Sequence, residues 1–231
     1  MLEMQQEILS TRELINRSSS VLLVSHRNVD GDAYGSTLAL AFLLERIGKS
    51  VTIVNELPIA QQYHFLGFHG LVKSEIPNES FDCIIVCDCG ELKMIGKFSE
   101  ERETLFTSTP IVNIDHHTGN FMFGSINLFD PGASSTCEII YNLIVNIPEY
   151  KERIDEKIAT CLAYGIVRDT NCFRNSIRPA TFAIIGELMN LGAQYREIIF
   201  QTYKSERLNY LQIYGEILDN LIILKQGKII G

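Results

Sequence analysis

The chain has 231 residues, of which 46% are hydrophobic and 21% are charged, and its formal net charge is −8. This length and composition suffice for one full hydrophobic core, so we expect a single globular domain with at most a small appendage. The acidic balance argues against electrostatic capture of long duplex nucleic acid, which depends on many Lys and Arg contacts. Any nucleic-acid substrate should therefore be short.

The sequence carries no recognisable signal for export or membrane insertion. Its longest helical apolar run, LALAFLL at 38–44, is far shorter than the roughly 18 residues of a membrane span. The first 20 residues alternate charged and apolar side chains, unlike a signal peptide. The six cysteines form no C-x-x-C pair, so reduced and mostly buried thiols are expected. We therefore expect a cytoplasmic protein that does not bind membranes.

The first half of the chain is predicted to alternate strands and helices after an amphipathic helix at about 3–18. The strand candidates are continuously apolar, as expected of parallel strands covered on both faces. They are VLLVS at 21–25, SVTIVN at 50–55, CIIVCD at 83–88 and PIVNID at 110–115. The segment GSTLALAFLLERIG at 35–48 is predicted to be a crossover helix that stops at Gly48.

The second half is predicted to be helical. Ser135 and Glu138 match a capping box that opens a helix through about Asn146. Further helices are predicted over 152–167 and from Pro179 to about Gly192. The fold class is α/β, with a parallel sheet that has helices on both faces, followed by a helical region.

Acidic and imidazole side chains follow three of the predicted strands. The carboxyl ends of parallel strands line one rim of the sheet, so these side chains should converge there. An aspartate placed just after the end of the 152–167 helix would approach the same rim from the helical region. The residues are His26, Asp30 and Asp32, then Asp88, then Asp115, His116 and His117, and finally Asp169.

This set of side chains is suited to binding metal. Crowded aspartates repel one another, and two divalent cations would cancel four negative charges. Oxygen and imidazole ligands without thiolate favour Mn²⁺, with Mg²⁺ or Co²⁺ as alternatives. Two such ions about 3.5 to 4 Å apart can share a bridging hydroxide that attacks phosphorus in line. The sequence therefore predicts a two-metal phosphoesterase site.

The same segments resemble a known family, the DHH phosphoesterases. The resemblance covers roughly residues 15–230, with all motifs in family order, and it is closest to the branch of nanoRNases, 3′-phosphoadenosine-5′-phosphate phosphatases and cyclic-dinucleotide phosphodiesterases. The segments that carry it are SHRNVDGDAYGS at 25–36, Asp88, DHH at 115–117, ASSTCEIIYNL at 133–143 and GIVRDTNCFRN at 165–175.

The resemblance implies a role for each site residue. It assigns His26 and Asp30 to one metal, Asp32, His116 and Asp169 to the other, and Asp88 to a bridge between the two. His117 would face the substrate phosphate as the catalytic histidine, and Asp115 would orient it from behind. Three positions depart from the family pattern without removing a ligand: Val29 for proline, Arg168 for threonine and Asn171 for glycine. Arg168 and Asn171 could reshape the pocket, so they leave substrate choice open.

The resemblance also implies a domain organisation. Residues 1–204 would form the catalytic domain, and residues 205–231 would form a linker helix and strand that lead toward a second domain absent from this chain. That second domain would help to hold the far end of the substrate.

The expected substrate is a phosphate ester of a small nucleotide: a short oligonucleotide, a linear or cyclic dinucleotide, or a nucleoside 3′,5′-bisphosphate. Two alternatives stay open, namely an inorganic pyrophosphatase or polyphosphatase and a binding module that keeps metal and nucleotide without turnover. No partner beyond the substrate is predicted, and the oligomeric state stays open, with a homodimer among the alternatives.

Taken singly, several residues also have structural interpretations. Asp32 could cap the helix that follows it, Asp88 could be a turn residue, and His26 or His116 could be hydrogen-bonded structural histidines. Only their occurrence together favours a metal site. The structural interpretation is preferred for His64 and His69 and, as core residues, for Cys87 and Cys89. Arg174 and Arg178 could equally bind a phosphate or be solvated surface residues.

Overall fold

A computed structural model describes residues 2–67, 72–203, 208–220, 222–224 and 228–230 of the chain. The chain divides into two compact units, Met1–Ile198 and Ile199–Gly231. Among the described residues of the second unit are a helix at Leu208–Asp219 and an antiparallel pair of strands at Ile222–Leu224 and Lys228–Ile230. The predicted linker segment 205–231 therefore lies partly outside the described residues.

The larger unit is built on a six-stranded sheet in which every pair of neighbouring strands is parallel. Its order is β3-β2-β1-β4-β5-β6. The strands are β1 (Ser20–Ser25), β2 (Ser50–Val54), β3 (Val72–Lys73), β4 (Cys83–Cys87), β5 (Ile111–Asp115) and β6 (Ile126–Phe129). This architecture confirms the predicted α/β fold class.

The four predicted strands are present, and the two that sequence reasoning missed lie at the edges of the sheet. β3 has only two residues, and β6 is mostly half-buried, with one fully buried residue of four. Edge strands bury less surface than central ones, so they lack the continuous apolar run that identifies a central parallel strand.

Helices cover both faces of the sheet. The larger unit contains α1 (Leu2–Arg17), α2 (Gly31–Arg46), α3 (Phe98–Glu101), α4 (Glu103–Ser108), α5 (Thr136–Val145), α6 (Pro148–Lys151), α7 (Glu156–Asp169), α8 (Pro179–Asn190) and the first turn of α9 (Tyr195–Tyr203). On one face, Phe98 and Phe106 pack with Leu22 and Val86 in a buried cluster. Side chains alternate along a strand, so Leu23 points to the opposite face, where α2 contacts β1.

Several helix boundaries differ from the predictions. Helix α2 starts at Gly31 rather than Gly35, because the Asp30 carboxylate caps its first turn. The predicted 152–167 helix is instead α7, which starts after the N-cap Asp155 and ends at Asp169. Asp169 was expected just after a helix end; it is the last residue of the helix.

The predicted stops and the predicted capping box were partly right. Gly48 and Gly192 follow the ends of α2 and α8 with φ of 80° and 97°, a conformation that favours glycine. Ser135 caps α5 by accepting a hydrogen bond from the Glu138 backbone N–H. The Glu138 carboxylate does not complete the box, because it accepts from Ser134 instead of from the Ser135 backbone.

Candidate metal centre

The register of the central strands brings the three site segments side by side. Ser25 pairs with Cys87, and Cys87 pairs with Ile114. The next residue on each strand is His26, Asp88 or Asp115. These three residues therefore lie side by side at the carboxyl ends of neighbouring strands. Their convergence at the carboxyl rim was predicted from the strand pattern, and the pairing of β1 with β4 and of β4 with β5 produces it.

Asp88 lies at the centre of this rim in an unusual backbone conformation. Its φ is 59°, in the left-handed region that few residues other than glycine adopt, and its backbone N–H donates to the Ile114 carbonyl at 2.9 Å. The carboxylate is buried and accepts a 2.9 Å hydrogen bond from the Thr136 hydroxyl. Backbone strain of this kind is often retained where a side chain must be aimed at a functional site.

The carboxylates of Asp30 and Asp32 each cap the N-terminus of a helix. An Asp30 carboxylate oxygen accepts from the backbone N–H groups of Asp32 and Ala33 at 2.9 and 3.0 Å. The Asp32 carboxylate accepts from the N–H groups of Thr136 and Cys137, at 2.6 and 3.0 Å, in the first turn of α5. Asp32 therefore does not cap the helix that follows it in sequence; it caps one that begins 104 residues later.

The six proposed metal ligands form overlapping groups. Within each group, one ligand atom from every residue lies within 4.8 Å of the others. Asp88 belongs to two groups and His116 to two. The groups are His26, Asp30 and Asp88; Asp32, His116 and Asp169; and Asp88, His116 and His117.

His116 shows that these atoms are spaced for an ion rather than for one another. Its Nε2 is buried and has no hydrogen-bond partner among the described residues. The nearest carboxylate oxygens, on Asp169, Asp88 and Asp32, lie 3.5, 3.8 and 4.0 Å away. These separations exceed a hydrogen bond, whereas two ligand atoms bound about 2.1 Å from a shared ion can lie up to about 4.2 Å apart. The residues therefore fit a divalent metal.

Without metal, the carboxylates have divergent proton affinities. Burial, reinforced by the charges of Asp88 and Asp169, raises the pKa of Asp32. Burial likewise raises the pKa of Asp169 to about 6. Burial also acts to raise the pKa of Asp88, but contact with His26 and the charges of the three neighbouring histidines outweigh it and lower that pKa. The divergence arises because burial raises the pKa of Asp32 and Asp169, whereas the positive charges of histidines lower that of Asp88.

His117 stands beside the cluster with half of its side chain exposed, at 52%. Its Nδ1 lies 2.7 Å from an Asp115 carboxylate oxygen, and this contact, which outweighs partial burial, raises the pKa of His117 to about 9. Asp115 is fully buried, and its other oxygen accepts from the Asn120 amide at 2.6 Å. Because Asp115 contacts Nδ1, Nε2 is the ring nitrogen of His117 that could face a substrate.

A network behind α5 was missed by sequence reasoning. The Glu138 carboxylate is fully buried and accepts from Arg178, Ser134 and Thr181. Arg178 also pairs with Asp130 at 2.9 Å. Arg178 is thus held by two carboxylates, with 35% of its side chain still exposed. The capping-box spacing of Glu138 was the available signal, but it indicated a local helix cap rather than a partner 40 residues away.

The other residues singled out from the sequence lie away from these groups or outside the described residues. Cys87 and Cys89 are buried, and His64 Nε2 lies 3.3 Å from the Ile59 carbonyl oxygen. His69 lies outside the described residues. Arg174 is exposed in the turn after α7, where three successive residues, 171–173, have positive φ.

The chain is similar to known proteins. The model of the DHH family, N-terminal domain, matches residues 20–166. The chain is 27% identical over 227 residues to the bifunctional oligoribonuclease and PAP phosphatase NrnA of Bacillus subtilis, covering 97% of this chain and 68% of that protein. It is 28% identical over 236 residues to the cyclic-di-AMP phosphodiesterase PdeA of Listeria monocytogenes, covering 95% of this chain and 35% of that protein.

The fold has a similar solved structure as well. A crystal structure of an exopolyphosphatase-related protein from Bacteroides fragilis superposes with a TM-score of 0.87 at 26% sequence identity, covering 96% of this chain and 67% of that one. The chain thus spans about a third to two thirds of the length of the proteins it resembles. None of the described helices is long and apolar enough to cross a membrane.

Proposed function

Because the chain belongs to the DHH family, we propose that it is a metal-dependent phosphoesterase that hydrolyses phosphate esters of small nucleotides. The observation that carries the proposal is the buried His116 Nε2, which faces three carboxylates at 3.5 to 4.0 Å and has no hydrogen-bond partner among the described residues. A buried polar atom left in this way costs free energy unless a ligand satisfies it.

The proposed ligands divide between two divalent ions, with Mn²⁺ as the expected metal. His26 and Asp30 would hold one ion, Asp32, His116 and Asp169 the other, and Asp88 would contact both. When bound, two such ions lower the pKa of coordinated water and offset charge on phosphoryl oxygens. Carboxylate and imidazole ligands without a thiolate suit this type of ion.

Residues of the chain itself would position the ester and manage protons. His117 would hydrogen-bond a phosphoryl oxygen through Nε2, and its raised pKa keeps it protonated at neutral pH in the metal-free protein. Asp115 and Asn120 would fix the orientation of that ring. A donor held in place before the reaction stabilises charge that develops in the transition state.

The proposed substrate class has support from the relatives. NrnA of Bacillus subtilis is named for oligoribonuclease and PAP phosphatase activities, and PdeA of Listeria monocytogenes for cyclic-di-AMP phosphodiesterase activity. A small nucleotide ester is common to all of these. The exopolyphosphatase-related structure from Bacteroides fragilis supports polyphosphate or pyrophosphate as a second candidate.

A substrate panel tests the proposal. Metal-stripped protein is supplied with Mn²⁺ and assayed on 5′-phosphorylated diadenylate, cyclic di-AMP, adenosine 3′,5′-bisphosphate and pyrophosphate. We expect hydrolysis of at least one nucleotide in preference to pyrophosphate, and no hydrolysis without metal. The Asp88→Asn variant should lose both ions in metal analysis together with activity.

The matched control is Asp219→Asn, which removes an exposed carboxylate from the helix at Leu208–Asp219. This variant should keep the metal content and activity of the unsubstituted chain. Hydrolysis of pyrophosphate alone would select the second candidate. Failure to hydrolyse any of the four compounds, or an Asp88→Asn protein that retains both ions, would refute the proposed function.

A further inference from the structure

We propose that the guanidinium of Arg168 binds a second phosphate group of the substrate, next to the one that is hydrolysed. The inference rests on the proposed phosphoesterase function and deepens it, because it selects substrates that carry a phosphate beyond the scissile one. A nucleoside bisphosphate and a 5′-phosphorylated dinucleotide both meet this description.

Arg168 is fixed against the loop that carries two proposed ligands. It occupies the last turn of α7, next to Asp169, and its stem packs over Gly31, between Asp30 and Asp32. A Cβ atom added to Gly31 would lie 2.5 Å from Arg168 Cγ and 2.7 Å from Arg168 Cβ. The position of the stem is therefore set by contact with the backbone of the site rather than by solvent.

The Arg168 guanidinium has no ion-pair partner in the part of the chain that the structure describes. Arg12, Arg46 and Arg178, by contrast, each pair with a carboxylate. Burial is the main cause of the raised pKa of Tyr164, and the charges of Arg168 and Asp30 act on that pKa in opposite directions. Both charges therefore lie around the same ring, at the rim of the proposed site.

Arg168 and His117 adjoin different members of the ligand cluster: Arg168 packs over Gly31, next to Asp30, and His117 lies beside Asp88. From the Arg168 side, Asp30 is followed by His26, whose Nε2 lies 3.9 Å from Asp30 and 3.5 Å from Asp88. On the far side of Asp88, His117 Nδ1 lies 3.6 Å from the other carboxylate oxygen. If His117 contacts the phosphate that is hydrolysed, Arg168 is placed to meet a different anionic group.

The charge balance of the site points the same way. Two divalent cations would cancel the charges of Asp30, Asp32, Asp88 and Asp169, and the permanent positive charge of Arg168 would then have no carboxylate among these ligands to neutralise it. A guanidinium presents a planar fork of donors that matches two oxygens of one phosphate. The geometry thus favours a substrate with one more phosphate than the reaction itself consumes.

The experiment compares diadenylate with and without a 5′-phosphate. Arg168→Gln removes the charge but keeps much of the stem over Gly31, and Arg168→Lys keeps the charge without the fork. We expect the ratio of kcat/KM for the phosphorylated over the unphosphorylated dinucleotide to fall about tenfold or more in Arg168→Gln, and less in Arg168→Lys. The control Arg153→Gln removes an exposed arginine near the other end of α7, about 20 Å away, and should leave the ratio unchanged.

Equilibrium binding separates this inference from the proposed function. Two analogues with a non-hydrolysable methylenephosphonate linkage, one of them 5′-phosphorylated, are titrated calorimetrically into the Mn²⁺-loaded protein. Tighter binding of the phosphorylated analogue that depends on Arg168 supports the inference even if no substrate is turned over. Three outcomes would overturn the inference: an unchanged kcat/KM ratio in Arg168→Gln, an equal loss of affinity for both analogues in that variant, or no preference of the unsubstituted chain for the phosphorylated compound. None of these outcomes by itself contradicts phosphoesterase activity, which the substrate panel tests separately.

Discussion

Individual side chains at this site serve the fold and the proposed chemistry together. Asp32 is the clearest case, because its carboxylate accepts two backbone N–H groups from α5 and also lies 4.0 Å from His116 Nε2. Helix N-termini stabilise negative charge, whereas burial destabilises it. Here burial prevails and the pKa of Asp32 is raised, so a bound cation would restore the ionised form.

His117 gives a pH-dependent prediction at the residue scale. Asp115 raises its pKa to about 9 in the folded protein, against about 6.5 for an unperturbed histidine. A raised histidine pKa contributes stability that is fully present below pH 6.5 and is lost as the pH rises through 9. In Asp115→Asn, we expect the His117 ring of metal-stripped protein to titrate well below pH 9, and this stability slope between pH 6.5 and 9 to flatten.

The ring titration is measured by NMR, and the slope by urea unfolding at several pH values. Asp130→Asn serves as the control, because it removes an aspartate that pairs with Arg178 and not with His117. An Asp115→Asn protein whose His117 still titrates near pH 9 would show that Asp115 does not hold the proton on this ring.

At the scale of elements, close packing of α2 against α7 positions the ligands at the ends of both helices. A Cβ atom on Gly35 of α2 would lie 2.6 Å from the Cys161 carbonyl oxygen of α7. A Cβ atom on Gly165 would clash with the Cys137 sulfur and lie 2.8 Å from an Asp32 carboxylate oxygen. Glycine at these positions allows Asp32, at the start of α2, and Asp169, at the end of α7, to approach the same histidine.

This packing predicts opposite effects for two glycine substitutions. Gly35→Ala should lower the free energy of unfolding by about 1–3 kcal/mol, since backbone atoms of α7 cannot move aside cheaply. Gly186→Ala, within α8, meets no atom within 4 Å and should raise the free energy of unfolding by about 0.5–1 kcal/mol through helix propensity. Urea unfolding of both variants measures the difference. A Gly35→Ala protein as stable as Gly186→Ala would contradict the close contact.

At the scale of the whole molecule, the site concentrates negative charge in a chain that is already acidic. The formal net charge is −8, and four aspartates with proposed ligand roles surround two histidines. Divalent ions would relieve this repulsion only where the carboxylates are ionised. Metal binding should therefore be linked both to stability and to pH.

We expect Mn²⁺ to raise the melting temperature of metal-stripped protein, and to do so more at pH 7.5 than at pH 5.5. Free ion at one hundred times Kd contributes about 2.7 kcal/mol per site, which corresponds to roughly 5–10 °C for a chain of this size. Below pH 6, protonation of Asp169 competes with the ion, because its pKa is raised to about 6. Thermal melts at the two pH values, with and without Mn²⁺, measure the effect; an equal shift at both would count against carboxylate ligands.

The sequence alone was sufficient to predict the central sheet and the identity of the side chains that gather at its rim. Continuously apolar segments identify central parallel strands because both of their faces are buried, as in β4, where all five residues are buried. The acids and histidines at the ends of these segments then had to meet, since parallel strands place their carboxyl ends together. The short edge strands β3 and β6 were not predicted because they carry no such apolar pattern.

What only the tertiary structure decided is which distant groups each polar side chain contacts. Asp32 caps α5, Glu138 pairs with Arg178, and Arg168 lies over Gly31. Each contact joins segments at least 40 residues apart, and none produces a periodic signal, because a single polar contact depends on how two elements pack and not on the residues next to it in the chain. The sequence therefore determined which acidic and imidazole side chains lie at the rim. The packing of α2, α5 and α7 determined which distant groups hold these side chains in place.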